Sequence, residues 1–219
     1  MLFRSRVNSI TLDPHKLGFV PYACGTFLCR DSLHYRSPSF LAPYLRTDNQ
    51  GAWMHTIEGS RAATGAAACW MANRAIGLGH DGYGRVLGKG REATLNLASA
   101  LRESPETLLV LDPSDLNILN FSLVREGEAL SQGNARTEAC FRLFQKSPNF
   151  AISKTEVSCE MMSDFLKRHL TPRKVEIDAP TMICLRIVLM NPFLMTRETV
   201  THYLHEFRSE LLGFISQLG

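Results

Sequence analysis

One lysine in this sequence stands in a setting suited to covalent chemistry. Residues 9–31 read SITLDPHKLGFVPYACGTFLCRD, so Lys16 follows His15 and precedes Leu-Gly-Phe-Val-Pro. An amine that is to attack a carbonyl must first shed its proton, and desolvation or a neighbouring cation lowers its pKa. The apolar run on one side and the imidazole on the other predict such a setting for Lys16. A solvated surface lysine is the competing reading. Asp13 precedes Pro14 and also reads as a turn-forming residue. Tyr44 brings a phenol, which is neutral at pH 7 and can donate one proton. Gly59-Ser60 stands ahead of an Ala-rich run. A Gly-Ser turn at a helix N-terminus attracts anions through backbone N–H groups and the helix dipole, and helix capping by Ser60 is compatible with that role.

Other groups carry weaker signals. Gly82-Tyr83-Gly84-Arg85-Val86-Leu87-Gly88 lacks the G-x-G-x-x-G spacing and follows a helix rather than a strand, which excludes a dinucleotide loop. His202 and His205 have no third ligand nearby in sequence and read as a solvated pair. Arg186 is a candidate for a substrate carboxylate and equally a strand arginine reaching solvent.

The elements that must position these groups follow from periodicity. Ser9-Ile10-Thr11-Leu12 reads as the end of a strand, broken by Asp13-Pro14. Residues 23–29 (ACGTFLC) read as a buried strand, and residues 31–52 as a long loop of the functional kind, which includes His34, Tyr35 and Tyr44. Residues 62–76 predict a helix, 77–81 a break, and 83–101 a second helix with Leu87, Ala93, Leu95, Leu97 and Leu101 as its apolar stripe. Residues 107–111, 116–124, 150–158 and 181–190 predict strands. Residues 133–144 predict a helix, and 159–178 are ambiguous. The chain closes with a helix starting at Thr196 or Glu198, with Val200, Leu204, Phe207, Leu211, Leu212 and Ile215 along one face. The second half is therefore an α+β unit, with a boundary expected near 102–106.

Composition narrows the classes. In 219 residues, 45% hydrophobic and 21% charged, a core is available, and a net charge of +3 gives no nucleic-acid footprint. The densest basic cluster, Lys167-Arg168 with Arg173-Lys174, reads as a solvated surface. The six cysteines have no C-x-x-C spacing, which argues against a zinc ribbon or redox motif. Several, such as Cys29 and Cys184, lie in apolar runs and read as buried reduced thiols, as in the cytoplasm. The N-terminus lacks a signal-peptide h-region. The run Met182 to Met190 is interrupted by Arg186 and too short to span a bilayer.

The 9–31 run resembles the cofactor-lysine segment of the group II pyridoxal-phosphate-dependent amino-acid decarboxylases, and most of all the tyrosine decarboxylase branch. Thr56-Ile57-Glu58-Gly59-Ser60-Arg61, the Ala-rich helix and Gly82-Tyr83-Gly84 resemble the turn, helix and G-Y-G segment of that family. Leu185 to Phe193 resembles the last strand of its small domain. The resemblance implies the C-terminal portion of a fold-type-I α/β transferase fold: residues 1–45 ending the large domain, 46–104 as connecting helices, and 105–219 as the small α+β domain.

It also implies roles. Lys16 would hold pyridoxal 5'-phosphate, which acts as electron sink. Asp13 and His15 would reach the phosphate region, though Asp13 cannot accept from a dianionic phosphate and would position a donor or be protonated. Tyr22 would line the substrate pocket. Tyr44 would protonate the substrate carbon after CO₂ leaves, with an ordinary loop aromatic as the alternative. Gly59 and Ser60 would close over the phosphate from a second subunit. The implied substrate is an amino acid, tyrosine-like first and glutamate second, and the implied assembly is a homodimer or a complex with an N-terminal half. No metal is expected.

Lys16 lies so near Met1 that the family's phosphate loop, ring-stacking residue and pyridine-pairing Asp have no room before it. Four expectations follow: a fragment, one half of a split enzyme, an inactive remnant, or a non-catalytic binding or dimerisation partner derived from this fold.

Overall fold

The computed structural model describes residues 6–31, 62–110, 112, 114–195 and 197–218, with the side chains of 195 and 197–202 excepted. It divides into two compact units, residues 1–84 and 85–219.

In the first unit, strands β1 (Ser9–Leu12) and β2 (Thr26–Cys29) pair antiparallel, with Ser9 opposite Cys29 and Leu12 opposite Thr26. Asp13-Pro14 ends β1 because proline has no N–H for the ladder. The connection from β1 to β2 carries Lys16. Helix α1 (Thr64–Ile76) follows and buries none of its side chains; Trp70 and Met71 are 65% and 64% exposed. Gly77 (φ +82) stops it, as a residue without Cβ can do. The π-type turn His80–Gly84 comes next and kinks at Gly82.

The sequence places a buried strand at 23–29. The strand is shorter and half-exposed, with Phe27 50% exposed. Among the described residues its partner strand is β1, and a two-stranded sheet does not enclose an apolar face. Cys24 is buried ahead of the strand, while Cys29 is only partly buried.

The second unit is a four-stranded antiparallel sheet in the order β3 (Leu108–Val110), β4 (Ile118–Ser122), β6 (Thr181–Val188), β5 (Ser153–Ser158). Strand alternation divides its side chains between two apolar clusters. One joins Leu109, Phe121 and Leu185 to Leu97 and Leu101 of α2 (Arg85–Arg102), Phe144 of α3 (Leu130–Phe144), and Phe207 and Leu211 of α5 (Arg197–Gln217). The other joins Leu108, Val110, Met182 and Cys184 to Leu166 and Leu170 of α4 (Ser163–Leu170).

Helix α3 begins three residues before the predicted start. Asp178, distant in sequence, accepts from the Ser131 N–H at 2.8 Å and from its hydroxyl at 2.5 Å. That supplies the helix N-terminus with the anion it favours. The ambiguous stretch 159–178 holds α4 and a 3₁₀ turn, Thr171–Arg173. On α5, Leu212 turns outward, whereas Phe207, Leu211 and Ile215 are buried; the Val200 side chain lies outside the described residues. Among the described residues no helix is long and apolar enough to cross a membrane, and no group of three or more His, Cys, Asp or Glu side chains could hold a metal.

Candidate active-site lysine

Lys16 sits on a turn closed by its own backbone. The Lys16 N–H donates to Asp13 O at 2.9 Å, the Phe19 N–H to Lys16 O at 3.1 Å, and the Val20 N–H to Pro14 O at 3.2 Å. Phe19 takes a positive φ of 53°, a strained position for an aromatic residue. Gly18 is required by close approach, since a Cβ there would lie 2.6 Å from the Pro14 carbonyl oxygen. The buried Tyr83 ties the turn from outside, its hydroxyl donating to Gly18 O at 2.7 Å. Burial, reinforced by Cys69, pushes the Tyr83 phenol above its usual pKa, so it remains a proton donor at neutral pH.

His15 is anchored by two contacts. Its Nδ1 lies 2.5 Å from Cys24 O, so that nitrogen carries the proton. Its ring lies 4.4 Å from that of Tyr22, centroid to centroid, at 33°. Tyr22 itself is largely exposed.

The surroundings of the Lys16 ammonium differ from the apolar setting read from its neighbours. Lys16 Nζ lies 2.7 Å from Asp13 Oδ2, and the lysine side chain is 60% exposed. The cause is local: a turn with a bond from residue 16 back to residue 13 brings those two side chains to the same side. The Lys16 hydrogen bond, with the nearby positive charges, holds the Asp13 carboxyl below the usual carboxylate range despite partial desolvation. Asp13 is thus ionised and turned to Lys16, not protonated.

Beside the turn lies an open cleft of about 1060 Å³, lined by Asp13, Cys24, Phe27, Gly65, Cys69 and Trp70 among others. Helix α1 approaches the chain closely here: a Cβ on Gly65 would fall 2.3 Å from the Ala23 carbonyl oxygen. The structure therefore brings Asp13, His15, Lys16 and Tyr22 together. Tyr44, Gly59 and Ser60, with His34 and Tyr35, lie outside the described residues. The sequence reading missed Tyr83 as a tie on the lysine turn; its place between Gly82 and Gly84 marked it only as part of a motif.

Comparison with known proteins supplies the class. A crystal structure of Oryza sativa TDC with PLP and tryptamine matches at TM-score 0.68, covering 97% of this chain and 39% of that one at 15% identity. Mouse CSAD in apo form matches at TM-score 0.62, covering 98% and 40% at 16% identity. The fold is accordingly the mixed α/β architecture of the fold-type-I pyridoxal-phosphate decarboxylases, matched over about two fifths of their length.

The pyridoxal-dependent decarboxylase conserved domain matches residues 4–124, and the chain belongs to that family. An L-tyrosine decarboxylase of Enterococcus faecium is 28% identical over 92% of this chain, and an L-aspartate decarboxylase of Thermococcus kodakarensis is 37% identical over 59% of it. The chain spans 37% and 33% of the length of these two relatives.

Proposed function

We propose that this chain provides the cofactor-lysine part of a pyridoxal-phosphate-dependent amino-acid decarboxylase, with Lys16 as the covalent anchor. The observation that carries the reading is an exposed primary amine on a turn fixed by backbone bonds and by Tyr83. Those features fit the carbonyl end of pyridoxal phosphate, which needs a reachable amine in a fixed place. They do not seat its phosphate, because Asp13, 2.7 Å from the lysine nitrogen, is an ionised carboxylate.

In this reading Gly59 and Ser60 seat the phosphate and His15 borders it. Asp13 holds the lysine ammonium, and that ion pair would have to open for Lys16 to act as the anchor. Tyr22 faces the substrate, and Tyr44 delivers a proton from its phenol oxygen. Pyridoxal phosphate, when bound, supplies the electron sink for the pair left as CO₂ departs. Residues 1–45 end the large domain, 46–104 connect, and 105–219 form the small domain. The site is completed by an N-terminal half or by a second subunit, in the cytoplasm. The substrate is an amino acid, tyrosine-like in the notation of the relative matched over most of the chain, with an acidic amino acid second.

A non-catalytic binding or dimerisation partner derived from this fold is the second reading. The bare face of α1, with Trp70 and Met71 in solvent, favours it.

Borohydride trapping separates the two. The chain is incubated with pyridoxal phosphate, alone and with the N-terminal part of a family relative, then reduced and digested. The catalytic reading expects the pyridoxyl group on Lys16 and on no other lysine to a comparable extent. Absence of label on Lys16 in both arms removes that reading and leaves the binding partner.

A further inference from the structure

Two thiols beside the lysine turn have no part in the proposed chemistry. We propose that Cys24 and Cys69 form a redox-active dithiol site, closing to an intramolecular disulfide by exchange with a low-molecular-weight disulfide such as oxidised glutathione.

The placement comes from α1. The Cys24 Sγ–H donates to Gly65 O at 3.2 Å, and Cys24 Cβ lies 3.4 Å from where a Gly65 Cβ would be. Gly65 and Cys69 are four apart on one helix, so they occupy the same face on successive turns. In the regular α-helical pattern the Gly65 carbonyl points along the helix toward the Cys69 N–H. Helical side chains also lean toward the N-terminus, so that of Cys69 leans back toward Gly65. The Cys24 sulfur thus sits at the turn that carries Cys69, and both cysteines line the same cleft. Burial raises the pKa of the Cys24 thiol, and Cys69 adds to this both as a charged neighbour and as a direct hydrogen-bonding contact. The Asn73 side-chain amide donates to Cys69 Sγ at 3.7 Å from the following turn.

Closing a disulfide requires the two Cβ atoms to come within about 3.5–4.5 Å. Helix α1 already meets the Cys24 segment closely at Gly65, so closure calls for movement of the Cys69 turn and side chain, which no buried residue of the helix pins. The site is also coupled to the lysine: Cys24 O is the acceptor that holds His15, the residue before Lys16.

The exchange balances without any further oxidant. Cys69, the more accessible thiol, attacks one sulfur of oxidised glutathione as thiolate. A mixed disulfide forms, the glutathione S–S bond breaks, and one glutathione thiolate leaves. Cys24 then attacks the Cys69 sulfur as thiolate and displaces the second glutathione. The two protein thiol protons end on the two released glutathiones; the protein is oxidised by two electrons and glutathione disulfide is reduced by two.

The test maps disulfides in the full chain. It is incubated with oxidised glutathione, unfolded under alkylating reagent, digested without reduction and read by mass spectrometry. The expected result is one dominant cross-linked peptide pair joining Cys24 to Cys69, with Cys29, Cys140, Cys159 and Cys184 alkylated. In Cys24→Ser, Cys69 should accumulate as the glutathione mixed disulfide. A wild-type chain that keeps both thiols, stops with glutathione on Cys69, or cross-links Cys24 to Cys29 instead overturns the proposal. That wild-type measurement needs no variant to fold.

Discussion

Two glycines on one helix should respond to alanine with opposite signs. Gly88 and Gly90 both lie in α2, two residues apart. Alanine is a better helix former than glycine by about 1 kcal/mol in a helix interior, and this gain applies at both sites. Among the described residues nothing lies within 4 Å of a Cβ at position 88. Gly88→Ala should therefore stabilise the chain by about 0.5–1 kcal/mol. At position 90 the new Cβ would lie 2.6 Å from the Leu189 carbonyl oxygen and 3.3 Å from Asn117 Cβ.

That carbonyl cannot yield freely. It accepts from the Asn117 side-chain amide at 3.2 Å in a buried bond, and the Leu189 N–H donates to Asn117 O at 2.9 Å. Relieving the contact means displacing either this doubly bonded segment or α2 itself. Overpacking of this kind costs about 1–3 kcal/mol, and a weakened buried hydrogen bond adds about 1 kcal/mol. The clash outweighs propensity, so Gly90→Ala should destabilise by about 1–3 kcal/mol. The propensity gain is common to both variants and cancels in their difference, leaving about 2–4 kcal/mol as the cost of the contact alone. Urea titration followed by far-UV circular dichroism, with equal slopes, reads that difference from the midpoints. If the two variants unfold within about 0.5 kcal/mol of each other, the close approach of α2 to Leu189 and the reasoning built on it are wrong.

Four further outcomes follow from other residues. Phe144, buried and packed on Phe207 and Phe214 with ring centroids 5.4 and 4.9 Å away, should cost about 3–5 kcal/mol when changed to alanine. Trp70→Ala on the bare helix should stay within about 0.5 kcal/mol, both read by calorimetry. Glu128 is held by Arg136 through two 2.8 Å hydrogen bonds. Burial raises its carboxyl, but the bonds from Arg136 and the Arg125 N–H, with both charges, outweigh this and hold it below the usual range. Its stabilisation is thus complete above its ordinary pKa of 4.5 and lost as pH falls through the lower folded value; in Glu128→Gln the stability measured between pH 6 and 3 should lose that component. Tyr83→Phe removes the donor to Gly18 and should slow borohydride trapping of Lys16 severalfold while costing only about 1 kcal/mol of stability; unchanged trapping would separate Tyr83 from the lysine turn.

Local patterns in the sequence predicted the elements of both units, and in the first unit they misjudged burial rather than the elements, since Ser9–Leu12 is a strand and Thr64–Ile76 a helix as read. Strand β6 was legible because Thr181 to Val188 is a long run of branched and apolar residues covered on both faces. The stripe of α2 was legible because Ala93, Leu97 and Leu101 repeat at helical spacing and are all buried. The early start of α3 was not, because it depends on Asp178, which is 47 residues from Ser131 and marks nothing in the local pattern. The burial expected for residues 23–29 failed for a related reason: apolar residues declare a strand, but only the neighbouring strands and helices decide whether it is covered.

The same distinction governs the site. The lysine and its immediate neighbours were readable, since Asp13, His15, Lys16 and Tyr22 lie within ten residues and one turn brings them together. What the sequence could not supply was the state of the amine. An apolar run beside a lysine suggests desolvation, yet five or six residues on a turn can place an ammonium without removing water from it. The partner a turn does provide is the residue it brings back in register, and here that is the Asp13 carboxylate. Desolvation is the work of tertiary surroundings, and this chain spans well under half the length of the relatives it matches. The exposed Lys16 paired with Asp13 is what the turn by itself produces, and in the function proposed above that ion pair would have to open before the amine could react.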